Sequence, residues 1–153
     1  MNEVQQPAPH RQNSEQERAR QAWAAVREVK DKDRSRDRAL EKEYRSLARG
    51  LNALLQSNGL GQTLGFLKAR GRRDNAHYLL LKHLTMWMQE PRHFTASNSA
   101  VMSGGDDGLL RWIVDEQTSS SDYRRATTEC LAFGSWLRRF AEGELRNSSE
   151  VQQ

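Results

Sequence analysis

Apolar residues recur every three or four positions along most of the chain, the spacing that places them on one face of an α-helix. Alternating runs of β-branched residues, typical of strands, are absent, and no proline interrupts residues 10–90. The pattern predicts helices at residues 14–30, 37–57, 60–70, 75–89, 107–117 and 122–142. We therefore expect an all-α protein, a compact bundle of about six helices.

Capping and breaking residues mark the ends of these segments. Ser14 and Glu17 form a capping box at the start of the first helix. Residues 31–38 contain no apolar side chain, so they either break the helix or bridge two helices through ion pairs; we expect a short loop near 31–36. The pair Asn58-Gly59 is predicted to end the second helix in a left-handed C-cap, and Asp74 to be the N-cap of the fourth helix.

Two of the predicted helices have well-defined apolar stripes. The first uses Ala19, Ala22, Trp23, Val26 and Val29, and the last uses Tyr123, Ala126, Thr127, Cys130, Leu131, Gly134, Leu137 and Ala141. Trp136 lies about 100° from the second stripe, on the face that also carries Phe140. Aromatic residues and arginine are enriched at protein interfaces, so Trp136 and Phe140 with the flanking Arg138 and Arg139 predict a protein interface; the alternative is a second core face.

Length and the composition of the termini predict one domain. The 153 residues divide into polar, disordered tails at 1–12 and 147–153 and a single helical domain at 13–146, with a flexible loop at about 91–107. No apolar run approaches the roughly 20 residues that span a bilayer, and residues 1–10 lack a signal-peptide pattern. The single Cys130 permits no internal disulfide, which agrees with a cytoplasmic location and no membrane partner.

Charge is unevenly distributed. The net charge is +4, and residues 61–93 carry six Lys/Arg against two Asp/Glu. Ordinary solvated helix faces are one interpretation; contact with phosphates or an acidic partner is the other. Residues 71–74 form a basic turn, which Arg45 and Arg49 would extend if the third helix folds back beside the second. The candidates for phosphate contact are Arg45, Arg49, Lys68, Arg70, Arg72 and Arg73.

The sequence contains no recognisable catalytic or cofactor motif. His77 and His83 are six residues apart, about 240° around a helix, and no Cys-x-x-Cys or His-Glu-x-x-His is present. The glycine-rich stretches match neither the Walker nor the dinucleotide pattern. We therefore predict no catalytic residue, no metal ligand and no cofactor.

Two stretches resemble a known family. They run from Tyr44 through Asn58-Gly59-Leu60-Gly61-Gln62-Thr63-Leu64-Gly65-Phe66-Leu67 to Lys68, and from Tyr123 to Ala141. Both are similar to the small-subunit family of the type III-B CRISPR effector, the RAMP-module interference complex, and the resemblance covers roughly residues 14–143. Asn52 departs from the family pattern, which often carries proline there.

The resemblance implies a non-catalytic helical subunit, stacked in several copies inside a ribonucleoprotein filament. Its partners would be the backbone and large subunits, neighbouring copies of itself, and the guide RNA and target RNA, whose duplex it helps to hold in antiviral defence. In this family the cleavage and cyclase chemistry belongs to the backbone and large subunits.

Two other functions remain open from the residues alone. A helical protein–protein adaptor without RNA contact is the main alternative, and salt-dependent RNA binding distinguishes the two. The hypothesis of a small helix-turn-helix regulator has less support, because residues 37–70 offer mostly Leu, Arg and Lys where polar base-reading side chains are needed.

Overall fold

The computed structural model of the protein describes residues 14–90 and 104–148. Within these ranges the chain forms five helices and no strand: α1 (Ser14–Lys32), α2 (Ala39–Arg70), α3 (Ala76–Met88), α4 (Gly108–Ile113) and α5 (Ser120–Glu144). The all-α prediction is confirmed. The predicted N-terminal tail, most of the predicted loop at 91–107 and most of the C-terminal tail lie outside the described residues. None of the helices in these ranges is long and apolar enough to cross a membrane.

The predicted second and third helices form one interrupted element. Gly59 has φ +81° and ψ 168°, which is not helical, and helical residues continue on both sides of it within α2. The break therefore occurs at the residue that the sequence predicted, and counting its two segments separately gives the six helices expected. Gly59 also accepts a hydrogen bond through its carbonyl oxygen from the Thr63 hydroxyl, at 2.8 Å.

All five helices contribute buried residues to the core. α5 packs against α1 and α2, and α3 packs against α2. Leucines of α2 and α3 supply most of the buried volume, together with Tyr44, Trp87, Trp112 and Phe133. Arg18 of α1 pairs with Glu129 of α5 through two short hydrogen bonds, of 2.6 and 3.0 Å. This ion pair joins the two helices across a partly buried boundary.

The apolar stripe of α1 differs from the predicted one. Ala22, Ala25, Val26 and Val29 are buried, whereas the Trp23 side chain is 42% exposed. Trp23 lies at the edge of the stripe, where its ring contacts Phe140 of α5 without entering the core. Periodicity placed it on the correct side of the helix but not at the correct depth.

The loop between α1 and α2 is ordered by a buried carboxylate. Asp33 is only 5% exposed, and its oxygens accept hydrogen bonds from the backbone N–H groups of Ser35 and Glu41, both at 3.0 Å. Burial opposes ionisation of Asp33, but these hydrogen bonds outweigh it and lower the pKa. Arg38 then enters α2 with a left-handed φ of 55°. The predicted loop is thus present, shifted to residues 33–38.

The predicted cap of α3 is wrong by one residue. Asn75, not Asp74, is the N-cap, and its side-chain oxygen accepts from the Tyr78 backbone N–H at 2.9 Å. Asp74 has φ 59° and pairs instead with Lys32 at 3.4 Å. The other boundaries differ slightly: α4 is shorter than predicted, and α5 begins at the Ser119 cap and continues past Gly143.

Candidate nucleic-acid interface

The basic turn that follows α2 exposes three arginines. Arg70 lies over the Phe66 ring at 5.4 Å from its centroid, a cation–π contact. Arg72 donates to the carbonyl oxygens of Ala69 and Gly71, at 3.2 and 2.9 Å, which satisfies acceptors at the end of the helix. Within the described residues no carboxylate pairs with Arg70, Arg72 or Arg73, so this stretch retains its positive charge.

Lys68 differs from its neighbours because a carboxylate neutralises it. Its Nζ lies 3.0 Å from Asp107 Oδ2, and Arg111 also pairs with Asp107, at 3.2 Å. Burial opposes ionisation of Asp107, but the hydrogen bond from Lys68 and the charges of Lys68 and Arg111 outweigh it, so its pKa is lowered. Asp74 is the only acidic residue within the turn itself. In the structure Asp74 pairs with Lys32, and Asp107, from a distant segment of the chain, pairs with Lys68.

Arg45 and Arg49 lie in a different place from the basic turn. They line a groove of about 320 Å³ in which the first half of α2 faces the C-terminal half of α5. Arg49 Nε lies 3.4 Å from Glu142 Oε1, and Arg138 Nε lies 2.9 Å from the same oxygen. The structure thus joins Arg45 and Arg49 to Arg138, a residue predicted for a protein interface. The groove that they line contains no residue of the basic turn, so the conditional extension of that turn to Arg45 and Arg49 is not observed.

The predicted protein-interface set is divided between two faces of α5. Trp136 and Phe140 are half-buried, and their ring centroids are 5.5 Å apart. Phe140 also meets Trp23 of α1 edge to face at 5.2 Å. We call Trp23, Trp136 and Phe140 the aromatic face. Arg138 lines the groove with α2, and Arg139 is exposed.

Sequence reasoning missed two members of the groove. Lys42 lines it beside Arg45, and Glu142 is the carboxylate that pairs with Arg49 and Arg138. The signal was present in part, because Lys42, Arg45 and Arg49 are three and four residues apart, off the leucine stripe of α2. Glu142 and Arg138 lie near the other end of the chain, and only the packing of α5 against α2 brings them to the groove.

Titratable side chains form a largely buried hydrogen-bond network at the junction of three helices. His83 of α3 is 3% exposed, and its Nδ1 lies 2.8 Å from the Tyr44 hydroxyl of α2. Its Nε2 lies 3.4 Å from Glu28 Oε1 of α1, which also accepts from Lys82 at 2.9 Å. Burial lowers the pKa of His83, and the hydrogen bonds from His83 and Lys82 lower that of Glu28 to about 2 against the cost of its desolvation.

Metal-ligating side chains do not gather in the described parts of the chain. Among residues 14–90 and 104–148, no group of three or more His, Cys, Asp or Glu side chains is placed to hold a metal ion. Cys130 is buried in the core, and burial raises the pKa of its thiol to about 12. The Cys130 side chain therefore packs in the core and is not a reactive thiol.

Comparison with known proteins agrees with this architecture. The family model for the CRISPR-associated protein Cas_Cmr5 matches residues 14–144. The chain is also similar to the crystal structure of a CRISPR-associated Cmr5 family protein from Thermus thermophilus, with 26% identity and a TM-score of 0.62. That match covers 89% of this chain and 100% of the other. The chain therefore belongs to the Cmr5 family, the small-subunit family of the type III-B CRISPR effector complex.

Proposed function

We propose that this protein is a non-catalytic subunit that contacts RNA within the type III-B effector. It lies beside the backbone subunits and neighbouring copies of itself and helps to hold the duplex of guide RNA and target RNA. Base pairing between the two RNAs supplies sequence specificity, so a subunit in this position needs only to contact the backbone and the shape of the duplex. Exposed cations without base-reading side chains suit that task.

One observation carries the RNA-contacting role. Arg70, Arg72 and Arg73 are exposed within four residues, and none has a carboxylate partner among the described residues. Unpaired arginines on a surface are the usual electrostatic signature of phosphate contact, because each phosphate that they neutralise releases counterions. By contrast, Arg18, Arg27 and Lys30 of α1 have carboxylate neighbours.

The experiment is a charge reversal at this turn. Arg70→Glu with Arg72→Glu and Arg73→Glu should weaken binding of single-stranded RNA and of target RNA by the reconstituted effector. About three phosphate contacts at the turn contribute about 2 to the magnitude of the log–log salt slope, and the triple variant should lose that contribution.

A matched control makes the same change in net charge elsewhere. Arg20, Arg124 and Arg125 are exposed on α1 and α5, and their reversal to Glu should leave RNA affinity nearly unchanged. Equal losses in both triple variants would mean that only net charge matters. Binding by the test variant identical to wild type at several salt concentrations would remove the basic turn from the RNA interface.

The non-catalytic role has its own test. The histidine that contacts both a carboxylate and a tyrosine, His83, is only 3% exposed and serves to join three helices. The purified protein should therefore not cleave RNA or DNA with Mg²⁺ or Mn²⁺. Cleavage that co-elutes with the protein and disappears on substitution of one residue would contradict this proposal.

A protein–protein adaptor without RNA contact is the second candidate, and the aromatic face favours it. Trp23 is 42% exposed beside two further aromatic rings, and such residues are enriched at the centres of protein interfaces. The two candidates differ in salt dependence. An adaptor predicts incorporation into the effector but no RNA binding by the free subunit.

A further inference from the structure

The groove between α2 and α5 is lined by polar residues and four cations. Lys42, Arg45 and Arg49 come from α2 and Arg138 comes from α5, with small and polar residues completing the wall. Residues three and four apart on a helix lie on one side of it, so the three α2 cations form a row about 10 Å long. A row of that length suits several phosphates of a polymer better than one small anion.

Two of the four cations form no ion pair with a carboxylate of the described residues. Within the described residues no carboxylate pairs with Lys42 or Arg45. The Arg45 Nε atom is also shielded from water without a hydrogen-bond acceptor. Shielded donors are nearly always satisfied in folded proteins, because leaving a donor unpaired has a free-energy cost. An unsatisfied guanidinium N–H in a groove wall points to an acceptor from outside the described residues.

The other two cations are held by an internal anion. Glu142 accepts from Arg138 Nε at 2.9 Å and lies 3.4 Å from Arg49 Nε. The hydrogen bond from Arg138 and the charges of Arg138, Arg49 and Arg45 lower the pKa of Glu142. The carboxylate thus occupies the position at which these arginines would bind a phosphate oxygen, since guanidinium pairs with both groups in the same way.

We propose that this groove binds the phosphodiester backbone of an RNA strand and that Glu142 is a built-in competitor that weakens the binding. Lys42 and Arg45 contact phosphates directly, and Arg49 and Arg138 do so when a phosphate displaces the Glu142 carboxylate. This proposal rests on the proposed RNA-contacting function and adds a second site, apart from the basic turn.

RNA fits the groove better than an acidic protein segment does. None of the described residues that line it has an apolar side chain, and tight protein interfaces are anchored by buried apolar or aromatic side chains. Phosphodiester contacts need only cations and polar groups, and they carry no sequence information. A competitor that tunes such contacts keeps a general RNA-binding surface weak until several copies act together on one strand.

The test compares loss and gain of affinity in the full chain. Binding of a labelled single-stranded RNA of mixed sequence is measured by fluorescence anisotropy at several salt concentrations. Lys42→Glu with Arg45→Glu should weaken binding and reduce the salt slope by about 1.4, the value for two lost contacts. Glu142→Gln should instead strengthen binding severalfold, because it frees Arg49 and Arg138 and keeps the side-chain shape. Arg124→Glu with Arg125→Glu is the control of equal charge change.

The outcomes separate this proposal from the proposed function. Weaker binding in the double variant with stronger binding in Glu142→Gln, at unchanged helicity, supports the groove. If Glu142→Gln binds no more tightly than wild type, Glu142 is not a competitor and the proposal is overturned. If the groove variants match wild type while reversal of Arg70, Arg72 and Arg73 abolishes binding, the groove fails and the RNA function stands.

Three further results would also decide between these possibilities. Loss of helicity in the double variant transfers the test to Lys42→Glu alone, which should reduce the slope by about 0.7, and no reduction overturns the proposal. If Lys42→Glu with Arg45→Glu abolishes binding of polyglutamate but leaves binding of RNA unchanged, the groove is a site for an acidic protein and the proposal is overturned. If wild type binds no RNA at all, the proposed function itself fails.

Discussion

His83, Tyr44 and Glu28 show how single polar residues are accommodated inside the bundle. A neutral His83 that carries its proton on Nε2 accepts from the Tyr44 hydroxyl through Nδ1 and donates to Glu28. One tautomer thus satisfies both neighbours, and Lys82 balances the charge of Glu28. Burial keeps the imidazole neutral, so protonation of His83 would place a second positive charge beside Lys82 in a poorly solvated site.

This network predicts that the free energy of unfolding decreases as the pH falls. Because the pKa of His83 is lowered on folding, the unfolded chain binds this proton more readily than the folded chain does. The stabilisation is present above the unfolded pKa of 6.5 and is lost as the pH falls below it, by at most about 1.4 kcal/mol per pH unit. Glu28, with a pKa of about 2, adds a further loss only below its ordinary value of 4.5.

Urea unfolding between about pH 7.5 and pH 5 measures this effect, since histidine titrates in that range. His83→Gln should flatten the decline of the free energy of unfolding with falling pH. His77→Gln is the matched variant and should keep the decline, because it leaves the buried ring in place. A wild-type free energy of unfolding that is constant from pH 7.5 to pH 5 would contradict the role assigned to His83.

The hydrogen bonds of Asn52 explain why this chain carries asparagine where the family often carries proline. Its side-chain amide donates to the Leu131 carbonyl oxygen at 3.1 Å and to the Ser135 hydroxyl at 3.0 Å, which joins α2 to α5. Gly134 makes this approach possible, because a Cβ at that position would overlap the Asn52 amide oxygen. Proline could form neither hydrogen bond. In this chain Asn52 lies in regular helix, and the break in α2 occurs seven residues later at Gly59.

At the scale of elements, the two stretches that resemble the family meet at the break in α2. Helical geometry is interrupted at Gly59, and the Gly61 backbone N–H donates to the Tyr123 hydroxyl of α5, at 2.9 Å. A Cβ on Gly61 would lie 3.4 Å from that oxygen, which leaves little room for any larger residue. The shared motif is therefore explained by packing: it defines how α2 bends and where α5 docks.

The break predicts opposite effects for two glycines of the same helix. Gly59→Ala should lower the free energy of unfolding by about 1–2 kcal/mol, because a Cβ is unfavourable at φ +81°. Gly65→Ala should raise it by about 0.5–1 kcal/mol, because Gly65 is helical and nothing lies within 4 Å of the added methyl group. Thermal or urea unfolding of the two variants provides the comparison. If both variants are stabilised, α2 is continuous in solution.

At the scale of the whole molecule, α5 presents two different surfaces. One side joins α2 to form the basic groove, and the other joins α1 to form the aromatic face. The two surfaces lie on one helix, so the proposed RNA site and the proposed protein interface would be held at a constant separation. This arrangement suits a repeated component of a ribonucleoprotein filament.

The aromatic face predicts a defect in assembly. Trp136→Ala with Phe140→Ala should keep the protein helical but reduce its incorporation into the reconstituted effector, because truncation of interface aromatics commonly costs about 2 kcal/mol or more. Trp23→Ala should have the same direction of effect with little cost in stability, since Trp23 is 42% exposed. Co-purification with tagged backbone subunits measures incorporation.

Met86→Ala is the matched control for this prediction. Met86 is 45% exposed on α3, outside the aromatic face, so its truncation should leave incorporation unchanged. If the double variant unfolds and Trp23→Ala assembles normally, the aromatic side chains serve the core of the subunit and not an interface.

The sequence by itself determined which residues form helices, which faces are apolar and where α2 breaks. These are local properties: the 3–4 spacing of leucines, the absence of proline and the left-handed preference of Asn-Gly act over one or two helical turns. The short motif at residues 58–67 was also sufficient to indicate the family, and its Gly59 has a positive φ that few other residues adopt.

Only the tertiary structure decided which charged residues act together. The sequence placed Lys68 in a basic cluster, and in the structure Asp107 pairs with it. The sequence grouped Arg138 with the aromatic residues of α5, and in the structure it lines the groove with Arg45 and Arg49. Electrostatic interactions act through space over several ångströms, so they depend on the packing of residues that are far apart in the chain. Helical periodicity gives the direction of each side chain, and the neighbour that it meets is known only when the helices are assembled.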